Sequence, residues 1–360
     1  MIERLSNHLL ISPGDVPPSR PGMAVIGTFN PGAVRWHGTT YLLVRVVEAP
    51  VEPRPGHMAF PRWDFSADEP ELKTDWLADD GLDTLDHREV VVRSTGLVRL
   101  PFISHLRLAT SRDGLSVDWI DPEPTIVPAD PLEEYGVEDA RITPLEDEDR
   151  CAVTYVAPSR HGIVACLLTT ADFRTFERHG SIFTTENKDV LVYPCRTGGR
   201  YSALHRPLSR TPLHMPEIWY AASPDLVHWG GHRVVLSERR SRFSRLGGGA
   251  PPVRVSEGYL ELYHGVYKPD PHERIGTYCT VAALLDAREP WRVVARSSEP
   301  LMVPTEPYEL RGYTPNVVFP TGAVLDGERL LVYYGAADEA SAVAALRLSD
   351  VMASLDEAPE

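Results

Sequence analysis

The feature that most constrains this chain is a repeat. Ser111-Arg112-Asp113-Gly114-Leu115-Ser116-Val117-Asp118-Trp119 is echoed by Ser223-Pro224-Asp225-Leu226-Val227-His228-Trp229. Weaker copies are Ala171-Asp172-Phe173-Arg174-Thr175-Phe176 and Leu285-Asp286-Ala287-Arg288-Glu289-Pro290-Trp291, with a last fragment at Leu348-Ser349-Asp350-Val351. The aspartates at 113, 172, 225, 286 and 350 lie 59, 53, 61 and 64 residues apart. Such a step holds four strands and their turns. Interleaved with it are five hairpin patterns that begin near Asn30-Pro31, Glu138-Asp139, Lys188-Asp189, Gly249-Ala250-Pro251 and Thr314-Pro315-Asn316. Their turns are Arg35-Trp36-His37-Gly38, Glu146-Asp147-Glu148-Asp149, Thr197-Gly198-Gly199, Ser256-Glu257-Gly258 and Asp326-Gly327-Glu328. The flanking runs, such as Leu330-Leu331-Val332-Tyr333-Tyr334, are β-branched and aromatic. Two interleaved signals at one period predict an all-β chain, a five-bladed β-propeller forming one domain over residues 1–360. The uneven steps leave a two-sheet β-sandwich as the alternative. In a propeller the first strand of each blade lines the central channel, so the residues that open the hairpins converge at one mouth.

Composition agrees with many turns and few long helices: 33 Pro and 26 Gly without low-complexity runs. Lys and Arg number 36 against 51 Asp and Glu, a net charge of −15. No basic stripe offers a track for phosphate backbones, so neither nucleic acid nor an anionic membrane is an expected partner. No apolar stretch is long enough to span a bilayer, and the first residues lack the pattern of a secretory leader, so the expected compartment is the cytoplasm. Cys151, Cys166, Cys195 and Cys279 form no CxxC pair and sit mostly in apolar runs, which reads as buried reduced thiols. One segment breaks the rhythm. Residues 50–90 are Pro-rich and acidic and too long for a blade turn; the expectation leans to a solvated loop, the alternative being a segment that reaches over the channel mouth or a neighbouring subunit.

At the predicted mouth the strand starts and ends collect Asn30, Arg45, Glu138, Asp139, Arg141, Lys188, Asp189, Arg206, Arg245, His264 and Asp338. An acidic chain that gathers Lys188, His205, Arg206, Arg245 and His264 in corresponding parts of several blades is expected to have built an anion site. The plainer alternative pairs each cation with a local acid, for example Lys188 with Glu186. An anion site beside a carboxylic acid points to a particular chemistry. Hydrolysis of a glycosidic bond generally takes two carboxylates, one to protonate the leaving oxygen and one to activate water or attack the sugar. Phosphate is already nucleophilic, so phosphorolysis needs cations to hold it and one acid for the departing oxygen. No His/Cys/Asp cluster has zinc or calcium spacing, so no metal is expected.

Nine ordered segments resemble the motif set of glycoside hydrolase family 130. They are Phe29-Asn30-Pro31-Gly32-Ala33, Leu42-Leu43-Val44-Arg45, Ser104-His105-Leu106-Arg107-Leu108-Ala109, Gly136-Val137-Glu138-Asp139-Ala140-Arg141-Ile142, Asn187-Lys188-Asp189, Leu204-His205-Arg206-Pro207, Gly247-Gly248-Gly249-Ala250-Pro251-Pro252, Tyr263-His264-Gly265-Val266 and Tyr333-Tyr334-Gly335-Ala336-Ala337-Asp338. The resemblance implies a five-bladed propeller that cleaves β-mannosides, most often with phosphate and inversion, to give α-mannose 1-phosphate and a shortened acceptor. It implies that Asp139 is the acid, acting through the mannose 3-hydroxyl, and that Asn30, Arg45 and Asp338 bind mannose. Glu138 goes to the sugar or to orienting Arg141. Lys188, Arg206, Arg245 and His264 correspond to a phosphate clamp. No cofactor is implied beyond phosphate as co-substrate, and a homo-oligomer is an option because family members are often multimeric. The chain departs from the pattern at Arg245, where Lys is usual and a planar fork replaces a point charge, at Ala140, where Pro is common, and at residues 50–90.

Three rivals follow from the same residues. One is a β-1,2-mannoside hydrolase on this scaffold, although such members lack the clamp. Another is a two-carboxylate furanosidase in which Asp189 or Glu217 partners Asp139, and the last is a catalytically silent carbohydrate-binding propeller. Trp119, Trp229 and Trp291 are expected to pack the blades, whereas Trp36 and Tyr313 are the candidates for stacking on sugar.

Overall fold

The repeated aspartates close turns. Each carboxylate accepts the backbone N–H groups two and three residues onward: Leu115 and Ser116 for Asp113, Arg174 and Thr175 for Asp172, Val227 and His228 for Asp225, Arg288 and Glu289 for Asp286. A short acidic side chain does this where the backbone must reverse without a ladder to bond to. Asp113→Ala is expected to destabilise the fold by about 1 kcal/mol, read as a lower unfolding midpoint with unchanged turnover; no change in midpoint would show that the turn holds without its cap.

The computed structural model describes residues 2–208, 216–237, 243–268 and 275–357. After β1 (Ser6–Ile11), the first sheet starts with β2 (Met23–Trp36) and β3 (Thr39–Pro50). It is interrupted by β4 (His57–Asp64), β5 (Glu71–Ala78), β6 (Leu82–Thr84), β7 (Val90–Val92) and β8 (Leu97–Arg99), and resumes with β9 (Ile103–Ser111) and β10 (Trp119–Ile120). The second sheet is β11 (Glu138–Leu145), β12 (Arg150–Ser159), β13 (Gly162–Thr170) and β14 (Glu177–Phe183). The third is β15 (Asn187–Val192), β16 (Tyr201–Pro207), β17 (Ile218–Ser223) and β18 (Gly230–Leu236). The fourth is β19 (Arg245–Val255), β20 (Gly258–Tyr267), β21 (Thr277–Leu285) and β22 (Val293–Ser297). The fifth is β23 (Val318–Asp326), β24 (Arg329–Ala336) and β25 (Ala340–Arg347). All pair antiparallel in sequence order; β1 completes the fifth sheet beside β25, and β26 (Leu355–Glu357) adds to the fourth beside β22.

This topology explains why the last repeat is only a fragment. Asp113, Asp172, Asp225 and Asp286 each link a third strand to a fourth. The fifth sheet takes its fourth strand from β1, so no such turn is needed, and Asp350 lies instead in a short helix, α1 (Leu348–Ala353). The five hairpin turns fall where expected, among them His37-Gly38, whose positive φ angles of 47° and 83° suit a tight reversal between β2 and β3. Two expected starts are corrected: β2 begins at Met23 and β19 at Arg245, so Asn30 and Gly249 lie inside their strands.

The first strands touch in the cycle β2, β11, β15, β19, β23 and back to β2. Five apolar clusters fill the spaces between consecutive sheets, such as Leu43 and Leu106 with Val153 and Tyr155, or Leu260 and Leu262 with Val332 and Tyr334. Most strands are therefore buried on both faces, which is why they read as near-continuous apolar runs. Tyr333 and Tyr334 serve different clusters because neighbours in a strand point to opposite faces. Trp229 and Trp291 pack against these clusters as expected. Trp119 does not: it is 47% exposed at the end of the first sheet. Cys151, Cys166 and Cys279 are buried free thiols, while Cys195 is half-buried and bonded to Glu146. No described helix is long and apolar enough to cross a membrane.

The leaning towards a solvated loop at residues 50–90 is overturned. The interruption forms a hairpin, β4 with β5, and a three-stranded sheet, β6 to β8, with Phe60, Leu82 and Val90 as its own small core. Arg62 and Arg99 both hold Asp75, at 2.8 and 2.9 Å, and the backbone N–H of Trp63 donates to Glu134 of the main body. The acidic residues that suggested solvation are thus partly consumed by local arginines.

Candidate functional site

The site begins with backbone irregularities. Each first strand loses register once or more: between Phe29 and Gly32, Glu138 and Arg141, Lys188 and Leu191, Gly248 and Ala250, and Pro320 and Gly322. In three of them Asn30, Asp139 and Asp189 adopt φ of 52°, 50° and 54°. Asn and Asp tolerate this left-handed conformation better than other residues with a β-carbon. A bulge bends the strand and re-aims a side chain. Here the bulges face a cavity of about 650 Å³, lined by all nine predicted site residues: Asn30, Arg45, Glu138, Asp139, Lys188, Arg206, Arg245, His264 and Asp338.

On one side of the cavity Asp139 is held through a single oxygen. Asn30 Nδ2 donates to Asp139 Oδ1 at 2.9 Å and Arg45 Nη1 donates to the same atom at 3.0 Å, while no described residue hydrogen-bonds Oδ2. Arg45 also donates to Glu138 at 2.7 Å and, through Nε, to Ser104 at 3.1 Å. Glu138 therefore orients Arg45 rather than Arg141. The Arg141 guanidinium donates to the Gly249 and Asp139 carbonyls, both at 2.6 Å, tying the second sheet to the fourth. Gly335 lets Asn30 sit where it does, because a β-carbon there would fall on the Asn30 amide. Burial pushes the Asp139 carboxyl up, but Arg45 and Arg141, with the hydrogen bonds from Asn30 and Arg45, outweigh it and hold its pKa below the usual range. For Glu138 and Asp338 burial wins, and both are raised.

The cations line the adjoining wall. Lys188 comes from β15, Arg206 from β16, Arg245 from β19 and His264 from β20. Among the described residues neither Lys188 nor Arg245 has a carboxylate within ion-pair distance, so the alternative pairing of Lys188 with Glu186 does not form. Arg206 is bound to Asp189 at 2.9 Å, yet among the described residues its Nε and the His264 Nδ1 are buried without a partner. Lys188 and His264 are both lowered, first by burial and then by neighbouring positive charge, Arg206 foremost in each case. A wall whose lysine and histidine are both driven towards their neutral forms by the positive charge beside them, with buried N–H groups left unmade, is an electrostatic demand for an anion.

Some expected members lie elsewhere. His205 points away from its neighbour Arg206; it bonds Asn187 and His232 and stacks on Phe183. Trp36 is outside the cavity, donating to the Ala171 carbonyl, whereas Tyr313 lines it. Asp189 lines the cavity but is 2% exposed and engaged by Arg206, and Glu217 does not line it. The residues missed from sequence include five on or beside the interrupting segment, Leu85, Arg88, Glu89, Val98 and Leu100, and others from the main body such as Tyr135, Ser159 and Ile163. Tyr278 and Phe319, also missed, belong to apolar strand runs that carry no polar signal. No group of three or more His, Cys, Asp or Glu among the described residues is placed to hold a metal ion.

A strand-built cavity with one doubly held carboxylate facing a basic wall now meets the comparisons with known proteins. The model of a family described as beta-1,4-mannooligosaccharide phosphorylase matches residues 101–357, and this chain belongs to that family, glycoside hydrolase family 130. A beta-1,2-mannobiose phosphorylase of Listeria innocua is 36% identical over 99% of this chain and 98% of its own. The structure of a Listeria innocua beta-1,2-mannobiose phosphorylase with beta-1,2-mannobiose bound superposes with a TM-score of 0.88 at 36% identity, covering 97% of this chain and 99% of that one. A beta-1,4-mannooligosaccharide phosphorylase of Ruminococcus albus is 32% identical over 57% of this chain and 61% of its own.

Proposed function

We propose that this chain is a β-mannoside phosphorylase that transfers mannose to inorganic phosphate with inversion, releasing α-mannose 1-phosphate and a shortened acceptor. The observation that carries the reading is the basic wall of Lys188, Arg206, Arg245 and His264 across one cavity from Asp139. The names of the relatives support it independently. The cycle of first strands, with an apolar cluster in each gap between sheets, supports a single five-bladed propeller as the scaffold.

In this mechanism Asn30, Arg45 and Asp338 hold the mannose, and the clamp holds phosphate in line with the anomeric carbon. A phosphate oxygen forms the new bond to that carbon as the bond to the leaving oxygen breaks on the opposite face, so a β-linkage yields an α-phosphate. The leaving oxygen takes one proton, which originates from Asp139 and passes through the mannose 3-hydroxyl. Arg45 and Arg141 outweigh burial and hold the Asp139 carboxyl low. Bound phosphate adds negative charge nearby and sugar excludes water, and both raise its pKa, so the acid is loaded when needed. The hydrolytic reading asks for a second carboxylate with a water to activate; Asp189, consumed by Arg206, is poorly suited to that role.

β-1,2-Mannobiose is the first substrate to try, because the relative that matches over nearly the whole chain carries that name. Mannose 1-phosphate is expected to form only when phosphate is present. Equal release of free mannose in phosphate-free buffer would overturn the proposal in favour of hydrolysis.

A further inference from the structure

The segment that interrupts the first sheet does more than cover it. Its loop between β6 and β7 is fastened to the main body through His87: the imidazole Nε2 meets Thr314 Oγ1 at 3.0 Å, the His87 carbonyl accepts from the Tyr313 hydroxyl at 2.8 Å, and the two rings pack edge to face. Asp86 stiffens the loop from within by accepting the backbone N–H groups of Arg88 and Glu89 at 2.8 and 3.1 Å. The side chain of Arg88 is thereby aimed into the cavity.

What Arg88 meets there is incomplete. Its Nη2 lies 3.3 Å from Asp86, but Nη1 stops 3.9 Å from Asp338 Oδ2, outside hydrogen-bond range, and among the described residues Nε is buried with no partner. The gap between Nη1 and Asp338 leaves place for a group that bonds both. Between a guanidinium and a carboxylate that do not quite touch, the fitting group is one that accepts from the first and donates to the second. A sugar hydroxyl does both.

Resting on the phosphorylase reading, we infer that Arg88 is a substrate-binding and specificity-determining residue, which with Asp338 grips one hydroxyl of the mannosyl unit. The interrupting segment thus supplies part of the wall of the sugar site. Tyr313 and Phe102, in edge-to-face contact, continue that wall from the main body.

The test compares wild type with Arg88→Ala on a β-mannoside at saturating phosphate, then on monodeoxy-mannosides that each lack one hydroxyl. Arg88→Ala is expected to raise the mannoside KM about 10- to 100-fold with the phosphate KM unchanged. One deoxy substrate should be equally poor for wild type and variant, because the partner of the missing hydroxyl is gone in either case. A structural role alone would not produce that selective loss of discrimination. An unchanged mannoside KM, or undiminished discrimination against every deoxy substrate by the variant, would overturn the inference; Arg88→Gln gives the same readouts should the alanine variant fail to fold. Wild type inactive on all β-mannosides would instead overturn the phosphorylase reading.

Discussion

Asp139→Asn is expected to lower kcat for phosphorolysis by about 10²- to 10⁴-fold, the usual contribution of a positioned general acid. The amide keeps an oxygen for Asn30 and Arg45 to bond, so the KM values for mannoside and phosphate should move far less than kcat. Two further readouts separate lost proton donation from lost structure. An aryl β-mannoside whose leaving group departs without a proton should recover most of the rate. In the wild type, kcat should fall as pH rises through the pKa of the loaded Asp139, because only the protonated carboxyl donates; that falling limb should vanish in the variant. A variant that turns over normally would remove Asp139 from the reaction.

The second large effect concerns Lys188, the clamp residue with the simplest surroundings because no described carboxylate neutralises it. Lys188→Ala should raise the phosphate KM on the order of 10²-fold, the scale of a lost charge-assisted hydrogen bond, with the mannoside KM little changed. Its stability signature runs the other way. Burial and Arg206 lower the Lys188 pKa in the fold. The unfolded chain therefore holds that proton more tightly, and the charged amine opposes folding below its unfolded pKa, an opposition that fades as pH rises through that range. Removing it should leave the phosphate-free melting temperature the same or higher, while the rise produced by added phosphate shrinks. A phosphate KM within twofold of wild type would show that the clamp does not include Lys188. Arg206 makes a less direct test, since its loss would strand the buried carboxylate of Asp189.

How much of this could be read beforehand depends on the distance over which each cause acts. The repeat was visible because an aspartate that caps its own turn is a local device, complete within four residues. The site residues were visible because they ride in short motifs at strand starts and ends. The left-handed positions at Asn30, Asp139 and Asp189 left a faint trace, namely Asn or Asp inside otherwise apolar strand patterns, which could have marked the bulges. The interrupting segment reads as a loop because part of its order comes from a partner far along the chain and the rest from pairings between its own strands. His87 finds Thr314, 227 residues away, and Asp75 finds arginines on two other strands. Its proline and acid content described a loop only while those partners were out of view. His205 and Trp119 were misplaced for a smaller reason: a single step along a strand reverses the face, and an end position leaves a repeat residue uncovered.

The completion of the fifth sheet by β1 has a consequence for how the molecule is made. Ser6 pairs with Ala345 and Asn7 with Ala344, so a strand made before all five sheets is among the last to find its neighbour. Every sheet between them can form while that strand waits with both edges open, which makes its pairing a slow, long-range step and its edge a point of risk for contact with other nascent chains. The three polar residues that open the strand, Ser6-Asn7-His8, ahead of Leu9-Leu10-Ile11, suit a strand that must stay soluble until the rest of the chain arrives.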